Sequence, residues 1–228
     1  METSLHRQLK EIYADEGAQI EVPLGDYRID VISDSVLIEI QHGSLSAIRD
    51  KIQDLTREHL VLVVKPIVAR KKLVRQDEKG GKVLSRRTSP KRQTILSLFE
   101  ELVYFTRAFP HPNLTLEVPL VHVEEWRFPG HGRRRRKRKN DVEVEDRKLI
   151  KIEQTQRFQT SADLTALLPK DLPQPFHTGH LAESMNIKRN VAQQIAYCLR
   201  EMGAIDLAGK EGNALLYEFT SSETKAVA

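Results

Sequence analysis

Polar and apolar positions alternate with two different periods along this chain, and the change of period marks out its elements. Residues 27 to 32 (Tyr-Arg-Ile-Asp-Val-Ile) and 36 to 41 (Val-Leu-Ile-Glu-Ile-Gln) are rich in Ile and Val, alternate in character and flank Ser33-Asp34-Ser35. Such a pattern predicts a β-hairpin. Gln19-Ile20-Glu21-Val22 predicts a preceding strand, joined through Pro23-Leu24-Gly25-Asp26, and residues 3 to 14 an opening helix. Within Ser44 to Glu58, Leu45, Ile48, Ile52 and Leu55 recur at helical spacing. Leu60 to Val64 is then a continuous apolar run, as expected of a buried strand parallel to its neighbour after a crossover helix. The order is αβββαβ.

Further on, Ile67 to Arg75 and Lys82 to Arg86 predict a second hairpin around Asp77-Glu78-Lys79-Gly80-Gly81. Lys91 to Ala108 reads as a helix with Ile95, Leu98, Phe99, Leu102, Val103 and Phe105 buried, and Leu114 to Val123 as a strand or pair of strands. Residues 160 to 172 start with an N-cap signal and give a short helix ended by Pro169. Thr178 to Met185 is a second helix and Asn186-Ile187 a turn. Lys188 to Met202 is a third helix, with Val191, Ile195, Leu199 and Met202 on one side, stopped by Gly203. Ala204 to Leu207 and Ala214 to Phe219 bracket Gly209 to Asn213 as a hairpin. Helix, turn, helix and a two-stranded wing resemble the winged-helix pattern.

The hairpin register carries the candidate chemistry. If Ser33 pairs with Val36, Asp30 stands directly opposite Glu39, with Cβ atoms roughly 4.5 to 5.5 Å apart. Two carboxylates that close repel each other unless a cation sits between them or one takes a proton. Gln41 points the same way as Glu39, while Ile29, Val31, Ile38 and Ile40 point to the other face. With Val22 paired to Tyr27, Glu21 sits opposite Arg28 and diagonal to Asp30. The alternative is that Glu21, Arg28, Asp30, Glu39 and Gln41 form the solvated side of an ordinary amphipathic sheet.

The αβββαβ order, Asp30 and Glu39-Ile40-Gln41 together resemble the PD-(D/E)XK nuclease superfamily, with Glu-Ile-Gln in the place of its (D/E)-X-K. With Gly43-Ser44-Leu45-Ser46 following, the likeness is closest to the nuclease region of the competence protein CoiA. The resemblance implies a restriction-endonuclease-like α/β core with a mixed sheet and Mg²⁺ or Mn²⁺ held by Asp30 and Glu39. It also implies a ligand from the Ile40 carbonyl, water positioned by Gln41, and an extra acid in Glu21 or Glu11. The metal would lower the pKa of the attacking water. Gln41 departs from the Lys that most members carry, and Lys51 or Arg49 could supply the missing charge, although both also suit a solvated helix face. His6 and Lys10, one helical turn apart, could flank the site. The whole chain also resembles an uncharacterised bacterial family, through Ser4-Leu5-His6, Ser85 to Arg92, Leu98 to Leu102 and Ala196 to Ile205.

Charge sharpens the picture. The 228 residues carry a net +4, but residues 1 to 64 hold 6 basic against 12 acidic side chains and residues 65 to 112 hold 12 against 4. An acidic module beside a basic segment suits a nuclease, since acids hold cations and bases hold phosphates. Arg133, Arg134, Arg135, Arg136, Lys137, Arg138 and Lys139 repel one another and predict an exposed loop, either a phosphate clamp or a solubilising tract. On the third C-terminal helix Lys188, Arg189, Asn190 and Gln193 are of types that bond phosphates and base edges, with Lys210 in the wing. Winged helices also dock proteins, and this module is slightly acidic.

The expected division is therefore residues 1 to 128 as the nuclease-like domain, 129 to 159 as polybasic loop and linker, 160 to 220 as winged helix and 221 to 228 as a disordered tail. The expected function is metal-dependent hydrolysis of DNA phosphodiester bonds. The alternative is a catalytically inactive nuclease-fold protein that binds nucleic acid or regulates. The expected partner is a nucleic acid, DNA before RNA, with a homodimer left open. The single Cys198 falls among apolar helical positions and reads as packing rather than a nucleophile. No run approaches the ~18 apolar residues that would span a bilayer, and the expected compartment is the cytoplasm. The sequence holds no Gly-X-Ser-X-Gly elbow and no His-X-X-X-His pair, which disfavours serine hydrolase and zinc chemistry.

Overall fold

The computed structural model describes residues 3–130 and 141–220. The polybasic run of residues 133 to 139 and the tail of residues 221 to 228 lie outside the described residues.

Helix α1 (Ser4–Tyr13) begins where the Thr3 hydroxyl accepts a hydrogen bond from the His6 N–H. Leu5 and Leu9, one turn apart, are fully buried with Val31, Ile38, Ile40, Val64, Val121 and Val123 in one core. After α1 come β1 (Gln19–Leu24), β2 (Tyr27–Ser33), β3 (Val36–Ile40), a 3-10 helix (Leu45–Ala47), α2 (Arg49–Leu55) and β4 (Leu60–Val64). This is the predicted αβββαβ order.

Next are β5 (Ile67–Gln76), β6 (Val83–Thr88), a 3-10 helix (Ile95–Ser97), α3 (Leu98–Leu102), β7 (Leu114–Pro129) and β8 (Val142–Phe158). The strand order is β1-β2-β3-β4-β7-β5-β6, with β8 paired to β7. The β1–β2, β2–β3 and β5–β6 pairs are antiparallel and β5–β7 is parallel, so the sheet is mixed. Between β4 and β7, Val61 N–H donates to Asn113 O and Lys65 N–H to Glu117 O, contacts that advance together along both strands as a parallel pair requires.

Two expectations change. The helix over 91 to 108 contracts to the 3-10 turn and α3: residues 91 to 94 are exposed and offer no apolar face to bury, and residues 103 to 108 form turns. Residues 142 to 158, expected as linker, form the 17-residue β8. Leu149 and Ile152 of this strand pack against the α1 core.

The chain forms two compact units. The first takes residues 1 to 42, 62 to 95 and 117 to 156, and holds the α1 core. The second takes residues 43 to 61, 96 to 116 and 157 to 228. Its last segment comprises α4 (Ser161–Thr165), α5 (Thr178–Ser184), α6 (Arg189–Glu201), β9 (Ile205–Glu211) and β10 (Ala214–Phe219). Thr160 and Asp163 form a reciprocal capping box on α4. Ile195, Cys198 and Leu199 of α6 are fully buried, and Cys198 Sγ lies 3.7 Å from the Phe99 carbonyl on α3. Gly203, at φ +70°, ends α6 in the left-handed conformation that glycine adopts without a steric penalty.

Candidate functional site

The β2–β3 turn is built as its sequence predicts. Ser33 pairs with Val36 across Asp34 and Ser35, both at positive φ, the arrangement whose twist matches that of the flanking strands. Val31 pairs with Ile38, where the register of the two strands ends; Asp30 and Glu39 follow that pair on β2 and β3. Glu39 is buried, as are Leu37 and Ile38 on either side of the strand's pleat, so the face that carries Glu39 is not a solvated one.

Asp30 is tied down by the protein. Its Oδ2 accepts the Ile40 backbone N–H at 2.8 Å, and its Oδ1 lies 3.1 Å from His6 Nε2 on α1. Burial works against the Asp30 charge, but the hydrogen bonds with His6 and the Ile40 N–H outweigh it and hold the carboxyl below the usual carboxylate range. The His6 ring meets the His42 ring edge-on at 5.8 Å. Burial, and then the neighbouring His6, push the His42 pKa down, and its Nδ1 is buried without a hydrogen-bond partner among the described residues.

The register of β1 differs from expectation by two residues. Leu24 pairs with Tyr27 and Val22 with Ile29, because Gly25 at φ +56° turns the chain within two residues and leaves Pro23 and Leu24 in the strand. Pro23, not Glu21, lies opposite Arg28. Glu21 itself adopts φ 59°, interrupts the ladder, and bonds both the buried Lys10 Nζ and Arg28 Nε, the latter at 2.6 Å. The hydrogen bond from Lys10 holds the Glu21 carboxyl below its ordinary range.

Gln41 follows β3, and its N–H donates to Val64 O at 2.9 Å. The neighbouring Lys65 and Glu117 are buried, and Tyr13 on α1 donates to Glu117 Oε1 at 2.5 Å. Sequence reasoning passed over Lys65, Glu117, Tyr13 and His42. A charged residue ending or interrupting an apolar run, as Lys65 and Glu117 do, was the available signal. Of the expected site, Asp30, Glu39 and Gln41 lie on neighbouring positions of one hairpin, with His6 against Asp30 and Lys10 against Glu21.

Both Asp30 oxygens and both Glu21 oxygens already face N–H donors. Among the described residues, no three His, Cys, Asp or Glu side chains gather closely enough to hold a metal ion.

A second charged cluster centres on Glu125 of β7, which is fully buried. Lys71 Nζ lies 2.7 Å and Arg147 Nε 2.9 Å from its Oε2, while Arg127 binds its Oε1 through Nε at 2.6 Å. Burial raises the carboxyl pKa, yet the hydrogen bonds from Lys71, Arg127 and Arg147 dominate and bring it to about 2.

In the C-terminal segment, α5 and α6 are joined through Asn186 at φ 49°, the β9–β10 hairpin follows, and Phe176 bridges to Tyr217 of β10. Lys188, Arg189, Asn190, Gln193 and Lys210 are all exposed. No side-chain hydrogen bond or ion pair engages them among the described residues.

Fold and site together define a mixed α/β protein with a large mixed sheet and several buried charged side chains. The family described as "Domain of unknown function (DUF8091)" matches residues 3–159, from α1 to the end of β8, and the chain belongs to that family. It is similar to an "Uncharacterized protein" of Treponema pallidum (strain Nichols), 29% identical over 184 residues that cover 80% of this chain and 72% of the relative. No solved structure matches. No helix of the described residues is long and apolar enough to cross a membrane.

Proposed function

We propose that this chain is a nucleic-acid-binding protein that uses a restriction-endonuclease-like core as a scaffold and engages DNA through a winged-helix C-terminal segment. A contrast between the two sets of candidate residues carries this reading. Asp30 and Glu21 are satisfied by protein donors, whereas Lys188, Arg189, Asn190 and Gln193 stand exposed and unengaged at the start of α6. The helix–turn–helix order, the β9–β10 hairpin and the Phe176–Tyr217 bridge support the winged-helix assignment. Phosphate contacts from lysine and arginine set such an interface in register, and amide side chains read base edges.

A hydrolytic reading is favoured by one observation, the position of Asp30 and the buried Glu39 on adjacent strands just past the Val31–Ile38 pair. One experiment separates the two. The purified protein is titrated into labelled duplex DNA over a range of salt, and incubated with plasmid and single-stranded DNA in Mg²⁺ or Mn²⁺. Replacing Lys188 and Arg189 together by Ala should weaken binding and lower the salt slope by about 2, roughly one counterion per lost phosphate contact. Asp30→Ala and Glu39→Ala should leave binding intact. Metal-dependent cutting that Asp30→Ala abolishes would establish the hydrolytic reading instead.

A further inference from the structure

Three arginines converge on one face of the sheet, and of their side chains only that of Arg127 is ion-paired among the described residues, to Glu125. Arg75 of β5 pairs with Ser85 of β6 on one side and with Arg127 of β7 on the other. Leu73 pairs with Arg87, so Arg87 sits diagonal to Arg75 on the same face. Like charges on adjacent strands destabilise a sheet, and opposite-charge pairs are the usual solution. Here the three guanidinium-bearing residues line one cavity of about 390 Å³, together with Leu73, Ser85 and Asp141.

The arginines are not equivalent. Arg127 is fixed from below by the buried Glu125, which occupies part of its fork and leaves other N–H groups of the five for a ligand. Arg75 and Arg87 are exposed and have no ion-pair or hydrogen-bond partner for their side chains among the described residues. One oriented guanidinium with two free ones beside it is the chemistry that grips a phosphate, whose oxygens accept paired N–H donors from arginine. The volume exceeds what a bare phosphate fills and falls within the range of small-molecule sites. A nucleotide supplies the phosphate, and its sugar and base fill the remaining volume.

We infer that the cavity between β5, β6 and β7 binds the phosphate of a nucleotide, either free or within a nucleic-acid strand, with Arg75, Arg87 and Arg127 as its ligands. The strand as source rests on the nucleic-acid reading above; the pocket is built from residues remote in sequence from α6 and independent of it.

The test uses the full chain with two probes, AMP by calorimetry and a fluorescein-labelled single-stranded oligonucleotide by anisotropy. The variant carries Arg75→Gln and Arg87→Gln, both at exposed positions, and its fold is checked by circular dichroism. A control carries Lys72→Gln and Lys91→Gln, exposed lysines outside the lining, with the same change in net charge. Each lost charge-assisted hydrogen bond is worth about a tenfold change in affinity, so the pocket variant should lose at least about tenfold and the control about twofold or less. Loss of AMP binding supports a free nucleotide, and loss confined to the oligonucleotide supports a strand. If AMP binds and the pocket variant loses it while the oligonucleotide never binds, the pocket stands and the nucleic-acid reading falls. Equal losses in variant and control, or no binding of either probe by the unaltered chain, overturn the proposal.

Discussion

Removing the charge of Glu125 should cost stability that depends on pH in a defined direction. The carboxyl is 1% exposed and bonded to Lys71, Arg127 and Arg147, which bring its pKa from an ordinary 4.5 to about 2. At 1.36 kcal/mol per unit, that displacement corresponds to about 3 kcal/mol of folding free energy at neutral pH. The folded-state pKa is depressed, so this contribution is complete above the ordinary value and is lost as pH falls through it toward about 2. Glu125→Gln keeps the shape and removes the charge. Its three cationic partners are 24%, 30% and 35% exposed and can rehydrate, which keeps the cost near the figure from the pKa rather than above it. Urea unfolding followed by the fluorescence of Trp126, the single tryptophan of the chain and the neighbour of Glu125, measures the gap directly. The gap between the two proteins should be about 3 kcal/mol near pH 7 and close to zero near pH 2. A gap that stays constant across that range would refute the assignment, because it would mean the variant loses packing rather than charge.

Gly25→Ala should destabilise the first unit by about 1 kcal/mol, since φ +56° strains any residue with a Cβ while nothing lies within 4 Å to clash with it. A loss well above that in urea unfolding would point to a packing role at the turn. Cys198 should resist Ellman's reagent in the native protein, because burial pushes its thiol up to about 12, and should react in full once denaturant is added. Rapid labelling without denaturant would show that α6 opens readily.

The parts of the fold that local patterning controls were legible. Alternation over residues 27 to 40 and a polar two-residue turn set the β2–β3 register from Ser33–Val36 to Val31–Ile38. The β1 register was missed because Pro23 and Leu24 read as loop residues, whereas Gly25 needs only Asp26 to reverse the chain and leaves both in the strand. The polar partners of the site were hidden for a different reason. Glu117 is held by Tyr13 across 104 residues of sequence, and Glu125 by Lys71 across 54. A buried charge is tolerated only when such partners arrive, and nothing local to Glu117 or Glu125 announces them. The arginine pocket was likewise invisible, since Arg75 meets Arg127 through a parallel pairing between strands that are not consecutive in the chain.

The way the chain is shared between its two units has a consequence for synthesis. It passes from one to the other five times, and the first unit is complete only when residue 156 has been made. The α6 segment finds Phe99 of α3 from 99 residues away. Early segments on the ribosome therefore hold unfinished cores, because each unit is completed only by a later stretch of the chain. Such non-local topology folds slowly and exposes apolar strands while it waits. A fragment starting at residue 160 would inherit the helices and the hairpin but lack residues 43 to 61 and 96 to 116, against which that segment folds.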